Sequence, residues 1–138
     1  MTDLDLYKET ILEEAAHPAN QGVLADFDVE YRFGNASCGD MFTAYIKLDQ
    51  KKQTISAIGW EGAGCAISTA GMSLVSQRVI GTTIAEIQSL SYIDVGKWLG
   101  LELVSPARIT CVSAGLKAVQ KAVEKLQSTY AVIPPCSV

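Results

Sequence analysis

Three cysteines and one aspartate are the residues of this chain best suited to hold a soft metal ion. Cys38 is followed by Gly39 and Asp40 in a turn-rich stretch, and Cys65 and Cys111 each stand at the start of a helical pattern. Metal binding and sulfur attack both need a thiolate, and a helix start favours one because its unpaired N–H groups attract negative charge. Three thiolates and one carboxylate would complete a tetrahedral site that suits Zn or Fe better than Mg or Ca.

Arg108 lies three residues before Cys111 and adds positive charge beside that thiol. Each of these residues also has a simpler explanation. A cysteine taken alone is as often a small buried hydrophobe, and an aspartate beside glycine is commonly a turn former. Arg108 could be a solvated surface charge, and no Cys-x-x-Cys pair occurs in the chain. The residues alone therefore indicate a thiolate site and leave its chemistry open.

Around these residues the sequence predicts a small antiparallel sheet. Alternating apolar residues indicate strands over residues 27–33, 42–48 and 54–61, and the short polar connections between them favour antiparallel pairing. Residues 34–40 are predicted to form a loop, and the Gly-Ala-Gly of residues 62–64 is predicted to end the sheet.

Helical patterns occupy the rest of the chain. They are predicted to begin at Thr2, Ala66, Thr83, Ser91 and Cys111. Strands followed by helices in blocks indicate an α+β fold, a small three-stranded antiparallel β-sheet covered by helices. The length suits one domain, residues 1–138. Residues 128–138 are expected to fray, which leaves Cys136 as a bystander.

Composition and charge argue against several classes of protein. The net charge is −4 and no Lys/Arg cluster stands out, so nucleic acid is not an expected partner. No apolar run approaches the ~20 residues of a membrane span. The acidic N-terminal residues contain no apolar signal core, so the expected location is the cytoplasm, where the four cysteines would stay reduced.

The chain resembles the IscU/SufU/NifU family of iron–sulfur cluster assembly scaffold proteins in three segments. Residues 35–40, Asn-Ala-Ser-Cys-Gly-Asp, are similar to the family's Asn-Pro-x-Cys-Gly-Asp. Residues 62–70, Gly-Ala-Gly-Cys-Ala-Ile-Ser-Thr-Ala, are similar to its Gly-x-Gly-Cys-Ala-Ile-Ser-x-Ala. Residues 106–111, Pro-Ala-Arg-Ile-Thr-Cys, are similar to the segment that holds the family's third cysteine. The resemblance spans nearly the whole chain.

This resemblance implies that Cys38, Asp40, Cys65 and Cys111 bind Zn or a 2Fe–2S cluster. It also implies a SufE/NifU-like fold, sulfur supplied by a cysteine desulfurase, and cluster transfer to acceptor apoproteins. Such a chain would be a scaffold or carrier more than an enzyme. The alternative is a Zn-dependent sulfur acceptor for a SufS-type desulfurase, a sulfurtransferase in which Cys111 accepts sulfur and Arg108 assists. A purely structural zinc module is less favoured, because such sites usually use compact Cys-x-x-Cys pairs.

Some positions depart from IscU-type members. Thr110 stands where those proteins carry histidine, and the only histidine, His17, is predicted to be a cap or surface residue. Residues 104–108, Val-Ser-Pro-Ala-Arg, do not match the Leu-Pro-Pro-Val-Lys segment of that group, which argues against an HscA-type chaperone as partner. The ligand set is thus similar to SufU, whereas the step from Cys65 to Cys111 is too short for the SufU insertion.

Overall fold

The computed structural model describes residues 9–35, 39–51, 53–101 and 103–132 of the 138-residue chain. Within these ranges there are three strands and five helices. In chain order they are α1 (Glu9–Ala16), β1 (Val29–Asn35), β2 (Asp40–Leu48), β3 (Ile55–Ala63), α2 (Ala66–Val79), α3 (Ile84–Ser89), α4 (Tyr92–Trp98) and α5 (Pro106–Val132).

The strands form one antiparallel sheet in the order β1-β2-β3. Asn35 pairs with Asp40 at one end of the β1–β2 ladder, and Met41 pairs with Ala63 at the same end of the β2–β3 ladder. The start of β2 therefore lies beside the end of β3. The predicted α+β fold with a three-stranded antiparallel sheet is confirmed.

The central strand carries the core of the sheet. Its inward-facing residues are Phe42, Ala44, Ile46 and Leu48, none more than 2% exposed, as their alternation predicted. On β1 the expected apolar face begins later than predicted. Phe27 lies before the strand and is exposed, and its ring packs against that of Tyr45 with centroids 5.3 Å apart.

Both predicted breaks at the site end of the sheet are wrong in extent. The predicted loop 34–40 is shorter, since β1 runs to Asn35 and β2 begins at Asp40. The sheet ends inside the Gly-Ala-Gly segment but later than predicted, because Gly62 still pairs with Phe42 and Ala63 with Met41. Gly62 has a φ of 131°, and a Cβ there would collide with the Met41 carbonyl. The glycine thus extends the strand instead of ending it.

Helix α2 is the central helix, with ten of its 14 residues buried. It packs most closely on α5 where glycines allow the backbones to approach. A Cβ on Gly115 would lie 2.7 Å from the Met72 Cα, and one on Gly71 would lie 3.3 Å from the Val112 carbonyl oxygen. This contact places the beginning of α5 beside α2.

A polar network fastens the segment after α1 to α2 and the sheet. The Ala19 N–H donates to Ser73 Oγ at 2.8 Å, and Asn20 Nδ2 donates to Ser76 Oγ at 3.0 Å. The indole N–H of the buried Trp60 donates to the Ala19 carbonyl at 2.8 Å. The Trp60 ring meets Phe42 edge to face, with centroids 5.6 Å apart. These bonds satisfy polar groups that would otherwise be buried without partners.

The helix starts predicted at Thr83 and Ser91 are confirmed. Thr83 and Glu86 exchange hydrogen bonds at the start of α3, and Ser91 and Asp94 do so at the start of α4. The predicted Thr2 cap of the first helix lies outside the described residues.

The start predicted for the last helix is wrong. Helix α5 begins at Pro106, five residues before Cys111, and proline is well suited to a first helical position because its missing N–H is not needed there. The helix extends to Val132, and the expected fraying of 128–138 stays a prediction. None of the described helices is long and apolar enough to cross a membrane.

Candidate metal centre

Asp40 is the buried centre of the candidate site. It is the first residue of β2 and only 1% exposed, so its predicted place in a polar loop is wrong. The inward alternation of β2, continued two residues back from Phe42, places Asp40 on the same face as the core. That alternation is the sequence signal that could have revealed its burial.

One oxygen of the Asp40 carboxylate is held by the start of α2. Oδ1 accepts a hydrogen bond from the Cys65 backbone N–H at 3.3 Å and another from the Ser68 hydroxyl at 3.0 Å. Ser68 is fully buried, and its hydroxyl also lies 3.0 Å from the Cys65 carbonyl oxygen. Because a hydroxyl has one hydrogen, Ser68 has two alternative acceptors for it.

The other carboxylate oxygen, Oδ2, is buried and finds no hydrogen-bond partner within the described part of the chain. Burying a carboxylate oxygen without a partner is unfavourable, whereas a cation beside it would offset the penalty. Oδ2 therefore has the character of a metal ligand, and Cys65, whose N–H bonds the same carboxylate, would add a sulfur donor that suits a thiophilic ion.

Gly64 creates the space that the carboxylate fills. A Cβ at this position would collide with both Asp40 Oδ1 and Ser68 Oγ, and would lie 3.1 Å from the Asp40 Cγ. A larger residue would displace the carboxylate or break its hydrogen bond to Ser68. The lack of space for a side chain thus explains why glycine precedes Cys65.

Cys65 is the N-cap of α2, as predicted. Its backbone is extended, with φ −71° and ψ 172°, and its Sγ accepts the Ser68 N–H at 3.4 Å. The residue is exposed at the surface. The sulfur is thus oriented by the helix start while it remains open to an incoming partner.

Cys111 has a different setting from the one predicted. It is the sixth residue of α5, beyond the first four residues whose N–H groups lack intrahelical partners. Arg108 lies one turn earlier on the same face of the helix, and both residues are half-buried. Cys111 packs at the edge of the core, next to the Val112 carbonyl that approaches α2.

The structure brings Asp40 and Cys65 together, but it does not complete the predicted ligand set. Cys38 lies outside the described residues, as does Cys136. Across the described ranges no three His, Cys, Asp or Glu side chains are grouped closely enough to hold a metal ion. The four-ligand site therefore stays a prediction. His17 is exposed just beyond the end of α1, where its N–H donates to the Glu13 carbonyl at 2.9 Å.

Sequence reasoning did not single out Ser68. Its signal was present in part, since Ser68 is the third residue after the N-cap Cys65, a position that faces back toward a cap. The contact with Asp40 spans 28 positions of sequence, and no local pattern predicts it.

The sequence matches the family described as NifU-like N terminal domain over residues 6–131. It is 33% identical to the iron-sulfur cluster assembly scaffold protein IscU of Thermotoga maritima, and the match covers 88% of this chain and 94% of that protein. It is also 33% identical to the zinc-dependent sulfurtransferase SufU of Bacillus subtilis, with 87% of this chain and 90% of that protein covered.

Solved structures show the same fold. The N-terminal part of a NifU-like protein from Brucella abortus aligns with a TM-score of 0.74 at 21% identity, over 90% of this chain and 96% of that one. A SufU protein from Fervidobacterium islandicum aligns with a TM-score of 0.71 at 23% identity, over 88% and 99%. With its sequence match running through nearly all of the strands and helices, the chain belongs to the NifU-like N-terminal domain family.

Proposed function

We propose that this chain is an iron–sulfur cluster assembly scaffold that receives sulfur from a cysteine desulfurase and assembles a 2Fe–2S cluster for transfer to acceptor apoproteins. The cluster is cargo, not a permanent part of the protein. The observation that carries the proposal is the buried carboxylate of Asp40, which has one oxygen without a hydrogen-bond partner among the described residues and lies against the N-cap Cys65.

The residues that would hold the iron are Cys38, Asp40, Cys65 and Cys111. Thiolates are the usual ligands of iron–sulfur clusters, and the same set accepts Zn. Oδ2 of Asp40 is the hardest donor among them, so its bond to a soft centre is the one expected to open first. A ligand that opens readily suits a protein that must release what it builds.

Sulfur would arrive by thiol exchange. The Cys111 thiolate attacks the outer sulfur of the desulfurase persulfide, the persulfide S–S bond breaks, and the desulfurase cysteine leaves as a thiolate. Arg108, one turn before Cys111, favours the attacking thiolate by its charge. Conversion of the transferred sulfur to sulfide then needs two electrons from an external reductant, together with Fe²⁺ from solution.

The second candidate is a Zn-dependent sulfur acceptor for a SufS-type cysteine desulfurase. Two observations favour it: Thr110 stands where IscU-type members carry histidine, and the SufU of Bacillus subtilis is as similar as the Thermotoga IscU. Here the same four residues would hold Zn, and one thiolate would leave the ion to accept sulfur.

Anaerobic purification followed by metal analysis separates the two candidates. The protein is then incubated with a cysteine desulfurase, Fe²⁺ and a reductant while its visible absorption is recorded. A scaffold would gain iron and sulfide in equal amounts, whereas a sulfur acceptor would keep about one Zn per chain and accelerate desulfurase turnover. Failure to bind iron, Zn or sulfur would contradict both.

Replacing Asp40 with Ala should allow a cluster to assemble on the three cysteines but slow its transfer to an apo-ferredoxin, and Asp40→Cys should slow transfer further. The control is Asp49→Ala, which removes a carboxylate just beyond the other end of β2 that accepts the Gln53 N–H at 2.8 Å. That variant should transfer at the wild-type rate. Unchanged transfer from Asp40→Ala would mean that the carboxylate is not the ligand that opens.

A further inference from the structure

Ser68 has no part in the proposed chemistry, yet its fully buried hydroxyl contacts the Asp40 carboxylate at 3.0 Å. We propose that Ser68 is a positioning residue that holds Asp40 Oδ1 so that Oδ2 alone is presented to the metal. This inference rests on the proposed function, because it needs Asp40 to be a ligand. Ser68 would then control how strongly Asp40 binds the metal and how readily it dissociates from it.

The two oxygens of the Asp40 carboxylate have different surroundings. Oδ1 accepts two hydrogen bonds, from the Cys65 N–H and the Ser68 hydroxyl, whereas Oδ2 has no partner among the described residues. Two donors from different groups fix the rotation of the carboxylate about its Cβ–Cγ bond. A metal would therefore meet one oxygen and not both.

The close packing around the Asp40 carboxylate restricts it to this orientation. Gly64 is close enough that a single added carbon would overlap Asp40 Oδ1 and Ser68 Oγ. The carboxylate and the hydroxyl that holds it are enclosed, since Asp40 and Ser68 are both buried. Groups that orient a metal ligand from behind in this way change metal affinity by about 10- to 100-fold.

The Ser68 hydroxyl also bears on how Asp40 would leave the metal. The Ser68 hydroxyl is 3.0 Å from Asp40 Oδ1 and also 3.0 Å from the Cys65 carbonyl oxygen. When the Asp40 carboxylate moves away, the hydroxyl can donate to the carbonyl instead. The buried Ser68 hydroxyl is then not left without an acceptor, so Ser68 strengthens the ligand without trapping it.

The test is a double-mutant cycle on metal affinity. Zn²⁺ affinity is measured by competition with a chromophoric chelator, and Co²⁺ absorption reports the ligand geometry. Ser68→Ala should weaken Zn²⁺ binding by about tenfold and alter the Co²⁺ spectrum. In an Asp40→Ala background the same substitution should cause no further loss, because Ser68 acts through Asp40.

The matched control is Ser76→Ala, which removes another buried hydroxyl from α2. Ser76 donates to the Ser73 carbonyl at 2.7 Å and accepts from Asn20, and none of its hydrogen bonds within the described ranges involves a carboxylate. This variant should lower the melting temperature but leave Zn²⁺ affinity and the Co²⁺ spectrum unchanged. It therefore separates a general loss of stability from an effect on the ligand.

Each outcome decides between the ideas. If wild type binds Zn²⁺ and Ser68→Ala binds it equally well, Ser68 does not position Asp40 and the proposed function is unaffected. An equal loss in the wild-type and Asp40→Ala backgrounds would also overturn the positioning role. If wild type binds neither Zn²⁺ nor Co²⁺, the proposed function fails and the role of Ser68 fails with it.

Discussion

The starts of α2 and α5 look alike in sequence but differ in the structure. Each has a cysteine near its beginning, Cys65 directly after Gly64 and Cys111 five residues after Pro106. Cys65 caps α2 and its backbone N–H contacts the buried Asp40. Cys111 lies more than one turn inside α5, so its sulfur is placed by helix packing and not by a cap.

The difference shows two ways of placing a reactive sulfur. At Cys65 the sulfur is placed by the helix start itself. The cap and the contact with Asp40 both use backbone N–H groups of residues 65–68. At Cys111 the placement depends on the close packing of α5 on α2, where Gly71 and Gly115 let the backbones approach. Substitutions should therefore affect Cys65 through helix capping and hydrogen bonding, and Cys111 through the packing of α5 on α2.

The largest effect is expected from Gly64→Ala. The added carbon overlaps Asp40 and Ser68, so we expect a loss of about 1–3 kcal/mol in the free energy of unfolding and most of the stabilisation by Zn²⁺. Urea denaturation with and without Zn²⁺ measures both.

Gly81→Ala is the control, since its φ of 87° makes a Cβ strained but nothing lies within 4 Å. It should lower stability by about 1–2 kcal/mol and keep the full Zn²⁺ effect. If Gly64→Ala also kept that effect, local placement by the α2 start would be unnecessary for binding.

A smaller effect should separate the two cysteines directly. With a chelator present, Cys65→Ser should be more stable than Cys65→Ala by about 1 kcal/mol, because serine caps a helix and alanine does not. The same pair of substitutions at Cys111 should show no such advantage for serine. Urea midpoints of the four variants give the comparison, and an equal serine advantage at both positions would remove the distinction.

The smallest effect comes from a cap remote from the site. The Thr83 backbone N–H donates to Glu86 and holds the pKa of that carboxyl below its usual value. The contribution of this hydrogen bond to stability is thus present above the unfolded pKa of Glu86 and lost as pH falls through the lower folded pKa. Glu86→Gln should flatten this part of the pH profile and leave Zn²⁺ affinity unchanged. A change in affinity would show that α3 communicates with the α2 start.

Features governed by short-range patterns were predictable. The alternation of β2 gave its buried face, and the Thr-x-x-Glu and Ser-x-x-Asp spacings gave the starts of α3 and α4. These patterns suffice because the interacting groups lie within a few residues of one another. The helix start at Cys65 was predicted for the same reason.

The buried state of Asp40 was missed because its reason is not local. A polar residue after glycine suits a turn as well as a strand. Its burial is made tolerable by the hydrogen bonds from the Cys65 N–H and the Ser68 hydroxyl and by the space beside Gly64. The start of α5 was misplaced because the change to helical periodicity was judged from the cysteine onward. Pro106 was the better local signal.

The two tryptophans are intrinsic fluorescent probes of the fold. Trp60 is enclosed beside Phe42 with its indole N–H bonded to the Ala19 carbonyl, whereas Trp98 is half-buried with the Arg78 guanidinium 5.2 Å from its ring centroid. The two fluorophores therefore sense different surroundings. In a Trp98→Phe variant the emission wavelength of Trp60 would report when water reaches the buried indole beside Ala19, without an added label.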